Sequence, residues 1–235
     1  MSVAMMQPYL FPYLGYFQLL KAVDVFIFAD DVNFIKGGFI HRNKILLQNE
    51  EYYIIVPCEK KSQNKLINEV RLSTKTKGYP DSILLTIKQA YAKAPFYTDV
   101  FPIIESIFHS DIDSLYRLAA SSVESVSRYL ELNVDFKYSS VSFNHTKGQE
   151  KSIRLINITK ELGGHTYLNP IGGTKIYNKE CFENQGIKLE FLVSEAITYP
   201  QFNGNFIPDL SIIDVMMFNS IEDVNKLLNK YRLII

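Results

Sequence analysis

The chain has no tryptophan, only two cysteines among 235 residues, and no net charge, with 25 Lys+Arg against 25 Asp+Glu. Each shortage excludes something. Cys58 and Cys181 lack the CxxC spacing of a redox or zinc motif and read as two reduced thiols. The balance of charge gives no field that would draw the protein to nucleic acid or to an anionic membrane. No apolar run approaches the roughly 18 residues a spanning helix needs. The opening "MSVAMMQPYL" lacks the basic and apolar regions of a signal peptide, so a cytoplasmic location is expected. The four histidines, His41, His109, His145 and His165, are scattered without HxxH or HExxH spacing, which argues against a hydrolytic metal site. There is no GxSxG elbow, Walker pattern or GxGxxG.

What is present is a chain with 47% hydrophobic and 21% charged residues, ordinary for a globular protein. Its 16 Phe and 15 Tyr are conspicuous. AT-rich coding accounts for much of that usage but not for the cluster in "QPYLFPYLGYF", residues 7–17. Residues 1–6 read as a strand ended by Pro8 and Pro12. A short helix over 15–22 and the buried strand "VDVFIFA", 23–29, follow. Strand, loop, helix and strand make a βαβ unit with parallel pairing and a right-handed crossover. Residues 44–73 read as a β insertion: two strands around a turn at 48–51, then a third strand in "LINEVRLS". Helices are expected at 81–93, from about 98, and over 114–132, a helical segment of about 80–132. "VDFKYSS" returns to strand. Thr146 and Gln149 form a capping-box pattern for a helix that Gly163 and Gly164 end. "HTYLNPIGG" and "IKLEFLV" are further strands, and Ser220 with Asp223 caps a terminal helix. The economical reading is one α/β domain over 1–235 with a parallel, Rossmann-like core.

In such folds ligands lie beyond the carboxyl ends of the parallel strands, which selects four stretches. In the first, Gln7, Pro8, Tyr9, Tyr13 and Gly15 form a stiff loop at the head of a helix. The prolines fix φ, the rings offer a stacking surface, and Gly15 leaves room for a phosphate. An aromatic plug over the sheet edge is the competing reading. The second, "ADDVNFIKGGFIHRN", holds Asp30 and Asp31 as candidate bases or Mg²⁺ ligands, Lys36 and Arg42 as phosphate grips, and Asn43. A solvated charged turn is its plain alternative. Alternation along a strand allows only one of the two aspartates to face a pocket. The third, "YLNPIGGTKIY", offers Gly172, Gly173 and Tyr177. The fourth, "YPQFNGNFIPDLSIID", offers Tyr199 and Gln201, for which pocket lining and packing are equally good readings.

Taken in order, "QPYLFPYLGYF", "DVFIFADDVNFIKGGFIHRNKI", "YAKAPFY", "LGGHTYLNPIGGTKIY" and "YPQFNGNFIPDLSIIDVMMFN" resemble the WbqC-like protein family over nearly the whole chain. Tyr13 stands where the family often has tryptophan, and Asn169 where serine is usual. The resemblance implies a bacterial protein of O-antigen or other surface-polysaccharide biosynthesis, with nucleotide-linked sugars, often amino sugars, as the substrate class. The opening strand, proline-rich loop, helix and strand are also similar in architecture to the start of HIGH-type nucleotidyltransferases and pantothenate synthetase (the HUP class), without their loop histidines.

The function expected from this is a transferase that acylates a nucleotide-linked amino sugar with an amino acid or acyl donor. Asp30 or Asp31 would be the base, and Lys36 and Arg42 the stabilisers of developing charge. ATP and Mg²⁺ enter if the acyl group is activated on the protein; no resident metal is expected. A nucleotidyltransferase acting on a sugar or acid phosphate, and a non-catalytic scaffold subunit of an assembly complex, are the alternatives. No nucleic-acid or membrane partner is expected, and a homo-oligomer is left open.

Overall fold

Residues 1–73, 75–202 and 204–235 are described by a computed structural model. The first unit runs β1 (Ser2–Met6), α1 (Leu14–Lys21) and β2 (Val25–Phe28). A hairpin follows, β3 (Arg42–Leu47) and β4 (Glu50–Ile55), and then three helices: α2 (Asp81–Tyr91), α3 (Tyr97–Phe108) and α4 (Leu115–Tyr129). Next come β5 (Asp135–Tyr138), the single turn α5 (Ser139–Ser142), α6 (Lys151–Glu161) and β6 (Thr166–Pro170). The chain closes with α7 (Lys179–Glu183), β7 (Lys188–Ser194), α8 (Ile212–Phe218), α9 (Ile221–Leu228) and β8 (Tyr231–Ile234).

Six strands form one sheet in the order β5-β2-β1-β6-β7-β8, parallel except for β8, which runs antiparallel to β7. The central strands are apolar on both faces because helices cover both. Along β1 and β2 the alternation sends Ala4, Phe26 and Phe28 into one layer with Phe17 and Leu20 of α1. It sends Val3, Met5, Val25 and Ile27 into the other, with Leu155 and Ile158 of α6 and Phe182 of α7. This is a Rossmann-like α/β sandwich. β1 leads through α1 to β2 on one side, while β6 joins β1 on the other, so the strand order reverses between β1 and β6. That is where such sheets open a crevice.

Several sequence expectations hold. The βαβ start is present, as are three helices between 81 and 129. The β3–β4 turn places Gln48 and Asn49 at φ +54 and +61, the backbone of a tight hairpin turn. Others are corrected. "LINEVRLS" is a 3₁₀ turn at Ile67–Glu69 flanked by single bridges, Leu66 with Asn33 and Leu72 with Cys58. The sixth helix starts later than the Thr146 pattern implies. Its cap is Glu150, whose carboxylate accepts from Ser152 N and Ile153 N at 2.8 and 3.1 Å. Thr146 Oγ1 instead donates to Phe143 O at 2.7 Å and accepts from Arg154 Nε at 3.0 Å. Ser220 caps α9 as expected, accepting from Asp223 N. Among the described residues no helix is long and apolar enough to cross a membrane.

Candidate functional site

A cavity of about 730 Å³ opens at the carboxyl ends of β1, β2 and β6, at the reversal of strand order. Met5, Met6, Gln7 and Tyr9 come from β1 and the loop after it, Ala29, Val32, Asn33 and Ile35 from the segment after β2. Asn169, Gly172, Gly173 and Tyr177 come from β6 and the turn beyond, and Lys151 and Arg154 from the first turn of α6. The wall is mostly apolar, and among the described residues its charged members are both cations, Lys151 and Arg154.

The aromatic loop is built to hold its shape. Pro8, Leu10, Phe11 and Pro12 are buried. Asn43 Nδ2 donates to Leu10 O and Phe11 O at 2.9 and 2.8 Å, Ser122 Oγ accepts from Phe11 N, and Ser211 Oγ donates to Phe11 O. These bonds fix Phe11 at φ +41, a left-handed backbone that a side-chain-bearing residue adopts only when its surroundings over-determine it. Tyr16 is fully buried and donates to Gln7 O at 2.9 Å. Tyr9 is therefore the ring of this loop that reaches the cavity, packed at 5.7 Å from Tyr16 and 6.0 Å from Phe39. Burial raises the hydroxyl pKa of both Tyr9 and Tyr177 above the ordinary tyrosine value, so each stays a neutral hydrogen-bonding group. Pro8 and Asn43 shape the loop and do not line the cavity.

The four residues singled out for catalysis are placed elsewhere. Asp30 is fully buried, and its carboxylate accepts from Ser139 Oγ and Ser140 N, both at 2.9 Å, and from Ser140 Oγ. Asp31 accepts from Ser139 Oγ and, at 2.6 Å, from Arg154 Nη2. Neither aspartate lines the cavity; they stand behind it and tie β2 to α5 and α6. Lys36 is exposed on a turn next to Ile35. Arg42 closes its own turn, donating from Nη2 to Gly37 O, with its guanidinium carbon 4.6 Å from the centre of the Tyr53 ring.

Gly173 is required by packing rather than by a ligand, since a Cβ there would lie 2.3 Å from Asn169 Oδ1. A Cβ on Gly172 would meet nothing within 4 Å. Gly15 likewise accommodates the Tyr13 ring and Ser194, 2.9 and 3.0 Å from a notional Cβ. Tyr13, Gly15 and Tyr199 line a separate cleft of about 400 Å³ beside α1 and the end of β7. Tyr199 and Gln201 are also bound to the buried Asp214, at 2.7 and 2.8 Å, which takes a third bond from Tyr91 Oη at 2.8 Å. Burial raises the Asp214 pKa, opposed by those three donors. Asn203 of this last stretch lies outside the described residues. Among the described residues no group of three or more His, Cys, Asp or Glu side chains is placed to hold a metal ion.

Sequence reasoning missed Lys151, Arg154, Asn33 and Ile176. For Arg154 a signal existed. It shares a helical face with Ile158 and adjoins Leu155, so it is a cation on the buried stripe of α6.

Fold and cavity together define a doubly wound α/β protein with a crevice at the strand-order switch point. The model of the WbqC-like protein family matches residues 7–226, and the chain belongs to that family. The chain is 23% identical over 224 residues to "Uncharacterized protein Rv1507c" of Mycobacterium tuberculosis (strain ATCC 25618 / H37Rv), an alignment that covers 93% of each. No solved structure matches the chain.

Proposed function

We propose that the protein is a cytoplasmic enzyme of bacterial surface-polysaccharide (O-antigen) biosynthesis that acylates the amino group of a nucleotide-linked amino sugar. The observation that carries this reading is the cavity of about 730 Å³ at the switch point, apolar over most of its wall and cationic at one side. Its size and mixed lining suit a small ligand with a planar base, a sugar and phosphates. The amine must lose its proton before it attacks an acyl carbon. Among the described residues no carboxylate lines the cavity, so Asp30 and Asp31 are not the bases of this scheme. The apolar wall favours the neutral amine, because burial disfavours an ammonium ion, while Lys151 and Arg154 face the phosphates of the nucleotide carrier. The Asn169 amide would stabilise the oxyanion that forms as the C–N bond closes; the bond to the leaving group then breaks, and the proton lost by the nitrogen departs with that group.

The test is incubation of the purified protein with nucleotide-linked amino sugars and activated acyl or aminoacyl donors, with and without ATP and Mg²⁺, read by product mass. A nucleotide sugar heavier by one acyl residue is the expected product. Pyrophosphate release with nucleotide transfer to a sugar phosphate would replace this reading with the nucleotidyltransferase one. Absence of both binding and turnover would leave the scaffold.

A further inference from the structure

Arg154 is 8% exposed, yet its guanidinium is not used up within the fold. Nη2 is held by Asp31 at 2.6 Å and Nε by Thr146 Oγ1 at 3.0 Å, while Nη1 has no partner among the described residues and the side chain lines the cavity. A buried guanidinium with an unpartnered nitrogen, on a side chain that lines a cavity, has a donor left to offer an anion there. Lys151 lies three residues earlier on the same helix, so the two side chains are neighbours. It is exposed and also lines the cavity. One cation is therefore rigid and forked, the other mobile and compact, on adjacent positions of one helix face. That pairing suits two linked anionic groups better than one: the fork fixes the first phosphoryl group by geometry, and the ammonium follows the second as a point charge.

We infer that this corner of the cavity is a diphosphate-binding site made of Arg154 and Lys151, and that Asp31 is a positioning residue which aims the Arg154 fork. The inference rests on the nucleotide-sugar reading for its biological ligand but not for its test. It also gives a role to Asp31, which does not itself line the cavity. By holding Nη2 it fixes the guanidinium plane and leaves Nη1 free.

The test measures binding of inorganic pyrophosphate and inorganic phosphate by calorimetry to the whole protein and to Lys151→Ala, Arg154→Lys and Asp31→Asn. Lys151→Ala alters an exposed side chain, so it keeps the test valid if either buried variant fails to fold. Wild type should prefer pyrophosphate over phosphate by about tenfold, the worth of one additional charge-assisted contact. Lys151→Ala should bring the two affinities together. Arg154→Lys and Asp31→Asn, where folded, should weaken both anions alike, since the fork holds the phosphoryl group the two share, whereas a purely structural role would leave the affinities of a folded variant unmoved. Wild type binding neither anion, or Lys151→Ala keeping the full preference, overturns the site. Pyrophosphate selectivity with no amino sugar acylated leaves the site standing and removes the proposed function. Acylation by Lys151→Ala at wild-type efficiency does the reverse.

Discussion

Arg154 Nη2 meets Asp31 Oδ2 at 2.6 Å, with the two side chains 10% and 1% exposed, across 123 residues of sequence. A pair this deep contributes little net stability, because desolvation of both ions offsets their attraction. Removing one partner is costly, since it strands the other charge. Asp31→Ala and Arg154→Met should each lower stability by about 3 kcal/mol. The double variant should cost clearly less than the sum, because neither charge then remains unpaired. Urea unfolding of the four proteins checks this; additive losses would show that the two groups act independently.

Gly172 and Gly173 are adjacent and should respond oppositely to alanine. A methyl on Gly173 would run into Asn169 Oδ1 at 2.3 Å and Phe191 Cε1 at 3.1 Å. Gly173→Ala should therefore destabilise by about 1–3 kcal/mol, the usual range for overpacking. Gly172→Ala, with nothing within 4 Å, should leave the melting temperature unchanged. Thermal unfolding distinguishes them, and equal shifts would contradict the packing described.

His41 should make the protein sensitive to mild acid. Its ring is buried against Phe34, Nδ1 has no partner among the described residues, and burial followed by the charges of Lys61 and Arg42 lowers its pKa to about 4. Between the unfolded value near 6.5 and that folded value, the unfolded chain binds a proton that the fold refuses. Stability from this group is complete above about pH 6.5 and falls as pH drops towards 4, by roughly 3 kcal/mol in all. In His41→Phe that component should vanish while stability at pH 7 is kept, since no hydrogen bond of the ring is lost. Urea midpoints of both proteins at pH 7 and pH 5 decide it; parallel losses would place the acid sensitivity elsewhere.

The sequence was most legible where one local pattern decides the structure. "VFIF" can hardly be other than a buried strand, and β-strand, stiff loop and helix in order point to the carboxyl ends of the sheet as the place for a cavity. The cavity is there, with Gln7, Tyr9, Gly172, Gly173 and Tyr177 in its wall. What was illegible depends on partners that local spacing does not name. Asp30 and Asp31 look like free carboxylates beside a site until Ser139, Ser140 and Arg154, more than a hundred residues away, occupy their oxygens. Thr146 resembles a helix cap until Arg154 claims its hydroxyl as acceptor. Arg42 and Asn43 are adjacent polar residues, yet one closes a surface turn and the other clamps the aromatic loop.

That clamp makes the last prediction. Leu10 O is bound by Asn43 alone among the described residues, whereas Phe11 O also receives Ser211 Oγ. Asn43→Ala leaves a buried carbonyl without a donor, at a cost of about 1–3 kcal/mol. It also removes one of the bonds that keep Phe11 in its left-handed backbone, so the segment from Pro8 to Pro12 should relax towards ordinary conformations. Tyr9 then loses its fixed position over the cavity. The expected result is a lower melting temperature, faster hydrogen exchange confined to the amides of Leu10 and Phe11, and weaker binding of whichever nucleotide-linked sugar stabilises the wild type. Ser211→Ala frees no carbonyl completely but also removes the cap of α8, where Ser211 Oγ accepts from Ile213 N, so its faster exchange should extend to Ile213 and separate it from Asn43→Ala. If Asn43→Ala lost stability but kept ligand affinity and loop protection, the loop would be held by its prolines and buried rings alone, and the clamp would be packing without consequence for the cavity.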